Sequence, residues 1–296
     1  MSKYVLVPDS FKGTMTSREI CEIMQHAIER IDSDAKIISV PVADGGEGSV
    51  DAFLSALGGK RKAITVTGPH FEKLSSSYGI TDDGTAVIEM SACAGLPLVY
   101  GKKNPELTTT YGVGELICNA ARSGAKRIVI GLGGSATNDG GCGAAAAAGI
   151  KFYDKSGKSF IPVGKTLKDI ASIDYSGLDS ALSGVSISAM CDVDNPLLGE
   201  TGAANVFGPQ KGANVAMIAR LDAGLKHLAE VSGKAKLASM PSAGAAGGMG
   251  FGMMAFFNCP LQMGIDGLLD IIDFESILAG ADLVLTGEGR IDPQSM

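Results

Sequence analysis

Tryptophan is absent from this 296-residue chain, aromatic residues make up 5% of it, and its histidines are three, His26, His70 and His227. So few imidazoles argue against a histidine-rich metal centre. The six cysteines, Cys21, Cys93, Cys118, Cys142, Cys191 and Cys259, are widely separated and lack metal-ligand spacing. Their apolar or alanine-rich surroundings predict buried, reduced thiols. The sequence also lacks a secretory or arginine-rich targeting pattern and any long charge-free apolar span, so the cytoplasm is the expected location and a membrane is not. Positive charge is in deficit: 25 Lys and Arg stand against 32 Asp and Glu, a net charge of -7. That balance gives no global attraction for nucleic acid or an anionic membrane. An anionic substrate would have to be met locally, by lysine, arginine, backbone N–H groups or a metal.

Glycine, by contrast, is abundant: 41 residues without a fixed period, clustered between apolar segments of a chain that is 45% hydrophobic and can bury a sizeable core. The densest cluster, GLGGSATNDGG at 131–141, follows a strand predicted over 127–130 and precedes an alanine-rich helix over 144–148. In an open α/β sheet such a handover is where ligands bind, with helix N-terminal N–H groups facing an anion. Gly133, Gly134, Ser135, Thr137, Asn138 and Asp139 are therefore candidates for a phosphate site. The other reading is a glycine-rich turn that only lets the helix sit close to its sheet.

The same arrangement occurs twice earlier. A strand over 4–7 leads through Asp9 and Lys12 to a helix over 17–30, with Thr16 or Ser17 as cap; a strand over 35–40 leads through Asp44 and Glu47 to a helix over 51–57. Asp9 can coordinate a cation or orient a hydroxyl and Lys12 can neutralise a phosphoryl group, or both belong to a solvated turn. Two acids in a glycine loop suit Asp44 and Glu47 to a metal or a polar substrate. Strands over 61–67, 75–80 and 86–90, separated by turn residues, predict a local antiparallel or mixed sheet, and Glu89 at the end of the last reads as structural. A strand over 185–190 runs into Asp192, Asp194 and Asn195, a metal- or hydroxyl-binding loop or a set of local turns, without the spacing of an EF-hand. Beyond a polar passage at 201–211 and a helix over 215–231 comes a second glycine-rich passage at 242–250. Its Gly247 and Gly248 could approach phosphate closely. A helix within 264–279 and a strand over 281–285 lead to a last loop with Arg290.

Six stretches taken together, VPDSFKG at 7–13, ADGGEGS at 43–49, GLGGSATNDGG at 131–141, CDVDNPLLG at 191–199, GAAGGMG at 244–250 and TGEGRID at 286–292, resemble the bacterial glycerate kinase family. They run in order through almost the whole chain. The resemblance implies an α/β protein: a Rossmann-like parallel-sheet domain from residues 1–66 and 281–296, an inserted α/β mixed-sheet domain over 67–280, and an active site in the cleft between them. Family members continue well beyond TGEGRID, so the first domain is expected to be incomplete here. The implied reaction moves the γ-phosphate of ATP to D-glycerate with Mg²⁺, giving 2-phospho-D-glycerate and ADP. In that scheme Asp44, Glu47 or Asp192 holds the metal, and Asp192, or else Asp9, orients the hydroxyl or accepts its proton. Lys12 and Arg290 counter charge, while Gly133, Gly134, Ser135, Thr137 and Asn138, with Gly247 and Gly248, hold the nucleotide. No Walker A motif decides which loop takes the phosphates. A dinucleotide-dependent dehydrogenase is the second enzyme reading, although PDSFKG at the first junction lacks the Gly-x-Gly-x-x-Gly fingerprint. A metabolite-binding or inactive kinase-like fragment is the third. The sequence leaves monomer and homodimer both open.

Overall fold

Residues 2–11, 14–41, 48–263, 267, 269–270 and 272–289 are described by the computed structural model. Val5 and Leu6, both fully buried, anchor strand β1 (Lys3–Pro8) in a parallel sheet, where it lies between β2 (Lys36–Ser39) and the last strand, β12 (Leu283–Gly287). Strands far apart in the sequence therefore meet, with Tyr4 opposite Leu283 and Pro8 opposite Gly287. Helix α1 (Ser17–Glu29) follows β1 and starts at a capping box: Glu19 N–H donates to Thr16 Oγ1 at 3.2 Å and Thr16 N–H to Glu19 Oε2 at 2.7 Å. Thr16 rather than Ser17 is the cap, because Ser17 turns its hydroxyl inward to the Pro8 carbonyl.

Helix α2 (Ser49–Leu57) leads into a second, six-stranded sheet of order β11-β10-β6-β5-β4-β3. Its strands are β3 (Lys60–Thr67), β4 (Lys73–Ile80), β5 (Thr85–Glu89), β6 (Arg127–Gly131), β10 (Ser186–Cys191) and β11 (Leu261–Met263). The β3–β4–β5 pairs are antiparallel and the β5–β6–β10–β11 pairs parallel, so the sheet is mixed, as the turn residues at 68–69 and 82–84 suggest. Residues 60–66, expected with the terminal strands, pair along β3 with β4.

Alternation along the central strands explains why both faces are covered. Ala86, Ile88, Ile128 and Ile130 point into one core, which holds helices α3 (Ser91–Ala94) and α4 (Tyr111–Arg122); Val87 and Val129 point into another, with Val50 and Phe53 of α2 and partly buried Val7 and Ile38 from the first sheet. That second core joins the two sheets. A third core lies outside the sheet, where α5 (Cys142–Ala147) packs beside the small antiparallel sheet of β7 (Lys151–Tyr153), β8 (Ser159–Phe160) and β9 (Ser172–Asp174). Further helices are α6 (Ala203–Phe207), α7 (Val215–Val231), which matches its predicted bounds, and α8 (Ala245–Phe257).

The second glycine passage departs from expectation. It opens α8 rather than forming a loop, and its helix is interrupted by left-handed Ala246, Gly247 and Gly248. Gly247, with φ of 71°, lies so close to the Thr137 carbonyl that a Cβ would stand 2.0 Å from it. Of the helix expected within 264–279, Phe274–Leu278 is present, and residues 264–266, 268 and 271 lie outside the described set. All six cysteines are buried and free, and burial pushes the Cys21 thiol up to about 11 and that of Cys118 up to about 12. Among the described residues no helix is long and apolar enough to cross a membrane.

Candidate functional site

Strands from both sheets end on one cleft of about 940 Å³. Asp9 and Ser10 follow β1, Glu89 ends β5, Gly133, Gly134 and Ser135 follow β6, and Asp192 follows β10. Parallel pairing sets the last three side by side, since Glu89 is opposite Gly131 and Gly131 opposite Met190. Ligands in open α/β folds bind outside the carboxyl ends of the strands, and this cleft occupies that place. The starts of α1, α2 and α8 and the turn at Phe207, Gln210 and Lys211 close its sides.

Asp9 is half-buried, with its Oδ1 accepting from the N–H of Ser10 at 2.6 Å, while Asp192 is exposed. Glu89 is buried and serves the protein itself. Its Oε1 accepts from Gly48 N–H at 3.1 Å and Val50 N–H at 2.8 Å, the first amides of α2. Burial holds its carboxyl above the usual range, against the pull of those hydrogen bonds. On the rim, Arg61 pairs with Asp51 at 2.8 Å.

The long glycine loop divides into two parts. Gly133, Gly134 and Ser135 line the cleft, and their backbone N–H groups have no acceptor among the described residues. The segment is held from behind: Leu96 N–H donates to the Gly134 carbonyl at 2.9 Å and Ala136 N–H to the Ala94 carbonyl at 2.8 Å. From Ala136 onward the chain turns inward. Thr137, Asn138 and Asp139 are fully buried, and Thr137 Oγ1 and both amide atoms of Asn138 have no partner among the described residues.

This inward turn corrects the idea that the N-terminus of the alanine-rich helix holds a phosphate. Its anion is the carboxylate of Asp139, which accepts from Thr110 N–H at 2.8 Å, Thr110 Oγ1 at 2.9 Å, Gly141 N–H at 3.1 Å and Gly143 N–H at 3.2 Å. Ala144 N–H goes to Thr110 Oγ1 at 2.9 Å. The amides are spoken for, so the helix end is closed to a ligand. Thr137, Asn138, Gly247 and Gly248 lie beneath the cleft floor, where backbone packs on backbone, and Ala245 and Ala246 are the α8 residues that reach it.

Of the remaining sequence candidates, Asp194 is not among the lining residues, and Asn195 folds back through Nδ2 to the Thr201 carbonyl at 2.8 Å, one of the local turns considered for that loop. Lys12, Asp44, Glu47 and Arg290 lie outside the described residues. Among the described residues no three His, Cys, Asp or Glu gather as a metal cluster.

Sequence reading missed Lys211. Its side chain is 2% exposed, and its Nζ donates to Ser135 Oγ and to the Thr137 carbonyl, both at 2.7 Å. Burial pushes its ammonium down to about 7, opposed by the charge of Asp139. A lysine between Gln210 and Gly212 in a polar passage gives no periodic sign of burial, so only the three-dimensional arrangement reveals it.

A family model described as the glycerate kinase family matches residues 4–296. The chain is 47% identical over 299 residues to the glycerate 2-kinase of Escherichia coli (strain K12), covering 99% of this chain and 78% of that relative. It is 46% identical over 299 residues to the glycerate kinase of Bacillus subtilis (strain 168), again covering 99% of this chain and 78% of the relative. A Salmonella typhimurium LT2 crystal structure, described as that of a putative glycerate kinase 2, matches with a TM-score of 0.93 at 43% identity, over 100% of this chain and 80% of that one.

Proposed function

The chain belongs to the glycerate kinase family, and from that premise we propose that it transfers the γ-phosphoryl group of ATP to D-glycerate, at the 2-hydroxyl, in the cleft where the strands of both sheets end. One observation carries the assignment to this cleft: three successive backbone N–H groups without acceptors among the described residues, at Gly133, Gly134 and Ser135, line the same cavity as the carboxylates of Asp9 and Asp192. Unpaired amides in a row suit the oxygens of a phosphate, and carboxylates suit a hydroxyl or a hard cation.

The residues divide the work by chemistry. Gly133, Gly134 and Ser135 hold the transferring end of the nucleotide through their N–H groups. Asp192, exposed to the cleft, orients the glycerate hydroxyl and accepts its proton as the bond to phosphorus forms; Asp9 is the second candidate for that task. Positioning and charge compensation supply most of the acceleration in phosphoryl transfer, so the fixed backbone of 133–135 matters as much as the acid. The donor set fits Mg²⁺: Asp9 and Asp192 offer hard oxygen ligands, and Asp44 and Glu47 fall in sequence between Pro41 and Gly48, both of which line the cleft. When bound, Mg²⁺ would offset the charge of the phosphates. Lys12 and Arg290, adjoining cleft strands in sequence, are proposed to counter charge on glycerate and the moving phosphoryl group. We also propose that the parallel sheet of the chain ends is the Rossmann-like domain and the mixed sheet the inserted one.

Incubation of the 296-residue protein with MgATP and D-glycerate, with the product identified by NMR, tests this reading. The expected outcome is ADP and 2-phospho-D-glycerate in equal amounts. Phosphate on the 3-hydroxyl would overturn the regiochemistry, and folded protein that binds both compounds without turnover would favour the binding-only alternative.

A further inference from the structure

We propose that Lys211 is a positioning residue for the nucleotide: from the cleft wall its ammonium fixes the Gly133–Ser135 segment, and the anionic phosphate completes its charge. This inference rests on the assignment of that segment to the phosphates. Lys211 Nζ bonds one residue at each side of the bend where the loop leaves the cleft, Ser135 through its hydroxyl and Thr137 through its carbonyl, both at 2.7 Å. These tie the exposed half of the loop to the buried half. Removing the amine would free the Ser135 hydroxyl and leave the buried Thr137 carbonyl without its donor.

Charge is the second part of the argument. A neutral amine has two N–H donors, and these two contacts use both; an ammonium has a third. Among the described residues Lys211 has no further acceptor, and no carboxylate stands within ion-pair distance. The cleft it lines is where an acceptor for the third N–H can arrive. The charged groups around it are Asp139 on the loop behind, Lys103 packed against Gly212, and Asp9, Glu19, Asp51, Glu89, Asp192, Arg18 and Arg61 on the cleft walls. Asp139 is already engaged by four hydrogen bonds, Arg18 pairs with Glu22, Arg61 with Asp51, and Lys103 donates to the Gln210 carbonyl. Buried without an ion-pair partner, Lys211 in the free protein loses its proton near 7. A phosphate beside it favours the charged form, so binding above that pH draws a proton in.

The test compares the wild type with Lys211→Gln across pH, after circular dichroism and thermal melting establish that the variant is folded. In the wild type, kcat/KM for MgATP should fall as pH rises above about 7, because that parameter reports ionisations of the free enzyme. In Lys211→Gln the KM for MgATP should rise about tenfold with kcat changed less than about threefold, and that alkaline fall should vanish. A folded variant that keeps both the wild-type KM and the alkaline fall overturns the proposal. Should the variant not fold, calorimetric titration of wild type with MgATP at about pH 8, in two buffers of different ionisation enthalpy, decides it. At that pH a lysine titrating near 7 is about nine-tenths neutral, so binding should take up most of one proton; no uptake overturns the proposal. Absence of glycerate-dependent ADP formation by the wild type would instead sink the kinase reading, whatever Lys211 does.

Discussion

Two aspartates in this molecule do opposite jobs, and the difference lies in what surrounds them. Asp192 is exposed to the cleft, so Asp192→Asn should lower kcat by about a hundredfold or more in protein that circular dichroism shows to be folded; turnover near wild type would end its proposed role. Asp139 is fully buried and accepts four hydrogen bonds at the start of α5. Asp139→Ala should therefore cost about 3 kcal/mol in urea unfolding, because it strands buried amides. A loss under about 1 kcal/mol would mean that water or a neighbour replaces the carboxylate. Lys211 adds a pH signature. Unfolded, it keeps its proton up to the ordinary lysine value of 10.5; folded, it releases it near 7. Between those values the unfolded state binds more protons, so this residue makes the free protein more stable as pH rises through that window. The stability difference between wild type and Lys211→Met, followed by urea unfolding from pH 7 to about 10, should shift in favour of the wild type.

At the scale of elements, the glycines of α8 carry the clearest prediction. Gly247 has φ of 71° and no room for a methyl group against the Thr137 carbonyl. Gly247→Ala should cost about 2–4 kcal/mol, and the shift it forces on 137–138 should lower activity beyond what the lost stability explains. Equal stability of the variant, measured by thermal melting, would refute the close approach. The same elements show what the sequence could reveal. Strand and helix positions were legible from periodicity and capping: β1, α1, the β3–β5 meander and α7 all follow their local patterns. The Asp9, Gly133–Ser135 and Asp192 positions were legible as well, because chain direction alone puts the end of a parallel strand at a binding edge. What stayed hidden depends on packing at a distance. Thr137 and Asn138 have polar side chains that suit a loop, yet the chain turns under the floor between them and Ser135. Gly247 and Gly248 looked ready for a phosphate but meet another backbone. Lys211 reads as a surface lysine until the loop that covers it is known.

At the scale of the whole molecule, the cleft draws on both sheets, so a ligand that bridges it should resist their separation. MgATP and D-glycerate together, each at about a hundred times its Kd, should each contribute about 2.7 kcal/mol to stability. Thermal melting would show a rise with both that exceeds the rise with either. A rise with one only would mean that the second substrate does not engage the folded state. The pairing of β1 with β12 has a further consequence, for the order of events during protein synthesis. Among the described residues every strand of the mixed sheet lies between Lys60 and Met263, so those strands can pair on the ribosome before β12 has emerged. Until then β1 and β2 form only a two-stranded ribbon, and the paired residues Tyr4 and Leu283 must close a loop through most of the chain. Strand β1 must wait for β12, and the cleft with it.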